Sequence, residues 1–182
     1  EIEIIKDMRP GLIQLEIGVQ SVNEMTISAI NRKTNLDKIR EKVAKIKSFG
    51  NVHQHLDLIA GLPYEDYDSF ANSFNQVYAM KPDQLQLGFL KVLYGSNMKL
   101  MSGEYGIKHL SYPPYEVLET KWISYEDVLK LKEVEEVVEI YYNSFQFSNS
   151  VIYLEKMFET PFEFYEKLGT FYKANSMNGE KH

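Results

Sequence analysis

The sequence predicts an α/β fold, a partial TIM-like barrel with parallel strands followed by a C-terminal helical extension. Three observations predict it. Three short segments alternate strictly between apolar and polar residues, and the stretches between them carry helical spacing. Those helical connections are also far longer than a hairpin needs, and they suit parallel crossovers.

The elements follow in order. Leu12–Gln20 (LIQLEIGVQ), Val52–Ala60 (VHQHLDLIA) and Gln84–Leu90 (QLQLGFL) are the strands. Ser21 begins the first helix, with Glu24 three residues on as a capping box. Asn35 opens a second helix, whose apolar stripe is Leu36, Ile39, Val43 and Ile46, and Gly50 closes it. Asp66 to about Met80 is a third, with Phe70, Phe74 and Val77 on one face and Pro82 beyond its end.

The alternation sorts the strand residues onto two faces. Ile13, Leu15, Ile17 and Val19 share one side of the first strand, and Gln14, Glu16, Gly18 and Gln20 share the other. Leu56, Leu58 and Ala60 oppose His53, His55 and Asp57 in the second. Leu85, Leu87 and Phe89 oppose Gln84, Gln86 and Gly88 in the third. A parallel sheet covered by helices on both sides reads as continuous apolar runs, so a one-sided polar face implies a curved sheet around a wet cavity. A half-solvated antiparallel sheet is the competing expectation.

Residues 1–98 are expected as the C-terminal half of such a barrel and 99–123 as a linker, marked by the consecutive Pro113 and Pro114. Residues 124–173 are expected as the helical extension and 174–182 as a flexible tail. Ser124 caps a helix with Asp127 three residues on and a stripe of Val128, Leu131, Val134, Val138 and Tyr141. Two more helices are expected near Ser150–Phe158 and Pro161–Tyr172, the latter with proline in its first turn. Eleven aromatic residues lie between Tyr141 and Tyr172, suiting either a compact helical core or a lid over a substrate.

Composition narrows the function. The chain has 182 residues, 44% of them hydrophobic, and a formal charge of −6 with acidic and basic residues mixed. No basic patch for nucleic acid stands out, and no apolar run approaches the roughly 20 residues that span a bilayer. With no cysteine there is no disulfide, thiolate nucleophile or cysteine metal site, and a cytoplasmic setting is the expectation.

Three signatures then stand in order: Glu16-Ile17-Gly18-Val19-Gln20-Ser21, Asn31-Arg32-Lys33-Thr34, and Leu56-Asp57-Leu58-Ile59-Ala60-Gly61-Leu62-Pro63. Their order resembles the radical S-adenosylmethionine (SAM) superfamily, in the branch with oxygen-independent coproporphyrinogen oxidase and the cobalamin-dependent anaerobic cyclases. The segment from Pro113-Pro114-Tyr115 onward looks like the C-terminal extension of cobalamin-binding radical SAM proteins. The resemblance implies that Gln20 and Asp57 hydrogen-bond the ribose hydroxyls of SAM and that Arg32 pairs with its methionine carboxylate. It implies no catalytic or metal-ligating residue in this chain. The full-length parent is implied to hold a [4Fe–4S] cluster on cysteines outside the chain, with cobalamin on a domain also outside it. The parent is then an oxidoreductase or transferase acting on a small molecule through a 5′-deoxyadenosyl radical, and the fragment alone is expected to be inactive. Its expected partners are the upstream half of its own parent chain and, through open sheet edges, other copies of itself.

Each site residue has a plainer reading. Arg32 could be a solvated charge at a helix end, Gly18 a simple bulge, and Glu16 a member of a lumen salt bridge. Asp57 among apolar neighbours is harder to explain away, because an unpaired buried carboxylate is costly. Two other functions compete. One is a non-catalytic binding or assembly module with a relict SAM pocket. The other is a metal-dependent hydrolase built on His53 and His55, for which only His109 and His182 remain as further histidines.

Overall fold

A computed structural model describes residues 2–175. The N-terminal half is a mixed α/β layer. After a short helix α1 (Ile2–Lys6), strands β1 (Gln14–Gln20), β2 (His53–Ala60) and β3 (Gln84–Phe89) form one parallel sheet in the order β1-β2-β3. Helices α2 (Glu24–Ala29) and α3 (Leu36–Lys47) connect β1 to β2, and α4 (Tyr67–Tyr78) connects β2 to β3. The antiparallel alternative is therefore excluded.

Local chemistry sets the helix starts. Asn35 accepts from the backbone of Lys38 and Asp66 from that of Ser69, as N-caps should. The start of α2 differs from expectation. Asn23, not Ser21, is its cap, taking the backbone N–H groups of Met25 and Thr26. Ser21 is drawn instead to a buried carboxylate described below.

The pairing register carries the two-faced pattern across the sheet. Glu16 sits opposite His55, Gly18 opposite Asp57, and Asp57 opposite Gln86, all on one side. On the other side Leu56 sits opposite both Ile17 and Leu85, and Leu58 opposite Leu87. That apolar side packs against Phe70, Phe74 and Val77 of α4 and Val43 of α3. Leu56, Leu58, Leu85 and Phe74 are wholly buried, each contributing about 1.5–3 kcal/mol relative to an exposed side chain. Gln54 is the polar exception on this side, and it donates to the Val43 carbonyl at 3.2 Å.

The stretch expected as a linker is folded. Helix α5 (Asn97–Leu100) leads into a two-stranded antiparallel ladder of β4 (Lys108–His109) and β5 (Val117–Glu119). Tyr105, Ile107 and Val117 join Leu62, Leu90 and Val92 in a second small core. Val117 also explains the Gly-Leu-Pro turn after β2. Gly61 has φ +82°, and a Cβ there would lie 2.6 Å from Val117 Cγ1.

The extension comprises α6 (Tyr125–Val138), which widens into a π-turn at Glu139–Asn143, then α7 (Ser148–Leu154) and α8 (Pro161–Ala174). Ser124 caps α6 and Thr160 caps α8, with Pro161 in its first turn. Phe162 and Tyr165 are buried against Phe74 and Tyr78 of α4, and Phe164 is buried beside Tyr165. These aromatics are core on the helical side of the sheet, whereas Phe145 is exposed and its ring lies 6.5 Å from that of His53 on the polar face. The tail beyond residue 175 lies outside the described residues.

Candidate functional site

The site is built at the C-terminal ends of β1 and β2, where parallel α/β sheets place their ligands. The β1 ladder breaks between Gly18 and Gln20, and Val19 in the break is fully buried. Gln20 then takes φ +70°, an uncommon value for a residue with a side chain. The result is a folded-back amide. A Cβ built on Gly18 would lie 2.2 Å from Gln20 Nε2 and 3.2 Å from Arg32 Nη1. Only glycine leaves the Gln20 amide room to lie over this strand position.

Arg32 reaches the same place from the other direction. Asn31 has φ +56° just past the end of α2, a conformation asparagine tolerates, and it turns the chain back toward β1. Arg32 Nη1 donates to the Gly18 carbonyl at 2.9 Å. Its side chain is exposed and lines two adjoining depressions of about 640 and 330 Å³. Lys33, Lys38 and Lys42 line the smaller one with Gly18, so the groove beside the strand end is electropositive.

Asp57 completes the set. It is the β2 partner of Gly18, so its side chain emerges on the face over which the Gln20 amide lies. Its Oδ1 is buried and has no hydrogen-bond partner. Burial pushes its carboxyl above the ordinary carboxylate range, the charge of Glu16 adds to that, and His55 opposes it. An unsatisfied buried acceptor is costly unless a ligand or another chain supplies a donor. Glu16 itself is exposed on the same face, and no salt bridge to it is formed among the described residues.

The histidines of this face meet one another. The His53 and His55 rings meet edge-to-face at 4.8 Å, and Gln14 Nε2 lies 3.4 Å from His55 Nδ1. His109 sits far off on β4, its Nδ1 against the Leu110 carbonyl. No group of three or more candidate ligands gathers anywhere among the described residues.

Sequence reasoning missed one residue. Glu65, just before the α4 cap, is almost wholly buried, and burial pushes its carboxyl up to about 7. Ser21 donates to its Oε1 at 2.5 Å and Ser73 at 3.0 Å. Nothing periodic marks Glu65, and the only hint was an acidic residue two positions after the Gly-Leu-Pro turn.

The fold and this face define a class: a parallel α/β protein with an open polar surface at its strand ends. Comparison with known proteins narrows it. The oxygen-independent coproporphyrinogen III oxidase of Pseudomonas aeruginosa is 32% identical over 77 residues, covering 42% of this chain and 17% of that protein. The Salmonella typhimurium enzyme is 26% identical over 108 residues, covering 57% and 24%. Coproporphyrinogen III oxidase from Escherichia coli, described as a radical SAM enzyme, matches in structure with a TM-score of 0.47 and 22% identity, over 72% of this chain and 28% of that one. Residues 103–182 match a family model described as a protein of unknown function (DUF4080). By sequence the chain is thus similar to oxygen-independent coproporphyrinogen III oxidases over part of its length, while nothing in these relatives bears on cobalamin or the cyclases. The chain spans about a quarter or less of the length of these curated relatives. Among the described residues, no helix is long and apolar enough to cross a membrane.

Proposed function

We propose that this chain is the SAM-binding C-terminal portion of a radical SAM enzyme. The observation that supports it best is the unpartnered Oδ1 of Asp57 on the face where the Gln20 amide folds over Gly18. A ribose has two vicinal hydroxyls, and a carboxylate beside a carboxamide oxygen accepts from both. Arg32, at the mouth of the electropositive groove, offers a guanidinium fork suited to the methionine carboxylate. In the parent enzyme, SAM bound beside an iron–sulfur cluster supplies a carbon radical that abstracts hydrogen from a small-molecule substrate. This chain contains no cysteine, so it holds no thiolate for such a cluster and no step of that chemistry is assigned to its residues. Their role is to bind and orient. The upstream half of the parent chain is the natural partner for the outer edge of β1, which among the described residues has no strand beside it.

Calorimetric titration of SAM into the 182-residue chain tests this directly. Asp57→Asn is expected to weaken binding about 10- to 100-fold, the usual worth of a hydrogen bond to a charged group. It should also leave the unliganded fold as stable or more so, because it removes a poorly solvated charge. Arg32→Ala should weaken SAM but not 5′-methylthioadenosine, which lacks the amino-acid carboxylate. No saturable binding at millimolar SAM, or an Asp57→Asn variant that binds as tightly as the parent sequence, would overturn the reading.

A further inference from the structure

The left-handed Gln20 needs something to hold it, because such a conformation is strained for a residue with a side chain and persists only when its surroundings enforce it. The three residues after it show what does. Ser21 Oγ accepts from the backbone N–H of Asn23 at 2.9 Å and donates to Glu65 Oε1 at 2.5 Å. Ser73 Oγ, on α4, accepts from the backbone N–H of Val22 at 3.1 Å and donates to the same Glu65 oxygen at 3.0 Å. Two successive backbone N–H groups of the turn thus run through one hydroxyl each to a single acceptor. Asn23 adds a further tie, donating to the Tyr64 carbonyl at 2.8 Å.

We propose that Glu65 is a positioning residue for the site: its buried carboxyl clamps the Gln20 turn at the end of β1 to the loop that follows Asp57 on β2. The proposal deepens the SAM-binding reading and rests on it for its ligand. Its geometry does not need that reading. Glu65 touches neither Gln20 nor Asp57; it acts through Ser21 and Ser73.

The polarity of the network argues for an acceptor in particular. Each serine hydroxyl has one proton, and each lends its lone pair to a backbone N–H, so the proton must go to Glu65. Removing the carboxyl leaves two buried hydroxyls with no acceptor, and rotating them to find one breaks the backbone contacts. The second carboxyl oxygen, Oε2, is buried without a partner, so it contributes nothing to the clamp. A glutamine amide keeps the accepting oxygen and replaces only that idle atom. Conservative rescue by glutamine, and failure by alanine, is the signature of this role.

Two measurements on the 182-residue chain test it. The first needs no ligand. In ¹⁵N-correlated NMR spectra the Gln20 side-chain amide peaks, assigned by their loss in Gln20→Ala, should shift in Glu65→Ala and stay in place in Glu65→Gln. The second is SAM affinity. Glu65→Ala should weaken it about 10-fold and Glu65→Gln less than 3-fold. Gln20→Ala combined with Glu65→Ala should bind no more weakly than Gln20→Ala alone, since both lose the same contact. Unmoved Gln20 peaks in Glu65→Ala, or affinity losses that multiply in the double variant, overturn the proposal. If the unmodified chain fails to bind SAM, the functional reading falls while the ligand-free spectra still decide the clamp. Should Glu65→Ala not fold, Ser21→Ala and Ser73→Ala each cut one strand of the network and are expected to show the same Gln20 shift.

Discussion

The sheet and the helical extension treat buried polar groups in opposite ways. Along the seam between α4 and the extension the buried tyrosines end on partners. Tyr142 donates to the Pro82 carbonyl at 2.6 Å, Tyr78 of α4 to Glu155 at 2.8 Å, and Tyr67 to Glu166 at 2.6 Å. Burial, and then these neighbours, push the Tyr67 and Tyr78 phenols far above their ordinary values, so they stay protonated donors throughout. In the α/β half, by contrast, the described residues leave Thr26, Asn51, Gln54, His55, Asp57 and Glu65 each with a buried side-chain atom that has no partner. No residue of the described extension joins that group. The difference separates two jobs. The described extension satisfies its own buried polar side chains, whereas the sheet carries polar atoms left for a ligand, water or another chain to satisfy.

The comparison predicts that the largest stability losses come from the seam with the extension rather than from the site. Phe74 is wholly buried and meets Phe162, Tyr165 and Tyr78 at ring separations of 5.4, 5.7 and 5.7 Å. Phe74→Ala should cost about 3–5 kcal/mol through lost burial and the cavity left behind. Urea unfolding followed by circular dichroism measures it. A cost below about 1 kcal/mol would mean that the extension is not integral to the fold.

The second effect is electrostatic and belongs to the sheet. Glu65 has its carboxyl raised from 4.5 to about 7, by burial first and the neighbouring Asp66 charge last, with Ser21 and Ser73 opposing. A carboxyl whose folded pKa lies above its unfolded one holds more protons when folded, so stability falls as pH rises between the two values. The penalty is absent below about pH 4.5, grows up to about pH 7 and is then complete, reaching about 3 kcal/mol. Unfolding free energies from pH 4.5 to 8 should therefore slope downward more steeply in the parent sequence than in Glu65→Gln. Parallel slopes would show that Glu65 titrates normally.

How much of this contrast could be read from the sequence depends on which physics wrote it. Strand alternation, helix stripes and the caps at Asn35, Asp66 and Ser124 are local rules, and the elements appear where those rules put them. The shared face of Gly18 and Asp57 followed from period-two geometry once the strands were parallel. What could not be read was non-local. Ser21 looked like a helix cap because Glu24 lies three residues on, yet its hydroxyl is taken by Glu65, distant in sequence. Residues 99–123 looked like a linker because prolines and polar residues hide a small core whose other members, Leu62 and Leu90, belong to the sheet half. The bulge that turns Gln20 over Gly18 left only the glycine as a trace.

The smallest expected effect concerns the edges of the sheet. A three-stranded sheet has two outer edges, and the structure closes much of one. Asn143, in the π-turn after α6, accepts from the Leu85 backbone N–H and donates to the Leu85 carbonyl, both at 3.0 Å. A single carboxamide thus takes the place of a neighbouring strand at the outer side of β3. Beyond it, the Val117 N–H reaches the Leu90 carbonyl at 2.8 Å. Asn143→Ala should cost about 1–2 kcal/mol, since it leaves one backbone donor and one acceptor unpaired at a partly covered edge. It should also increase self-association at high concentration, because an exposed ladder position invites another strand. Light scattering on the variant and the parent sequence, side by side, reads that second effect. Equal association in both would locate the sticky edge at β1 alone, where no strand of the described residues lies alongside.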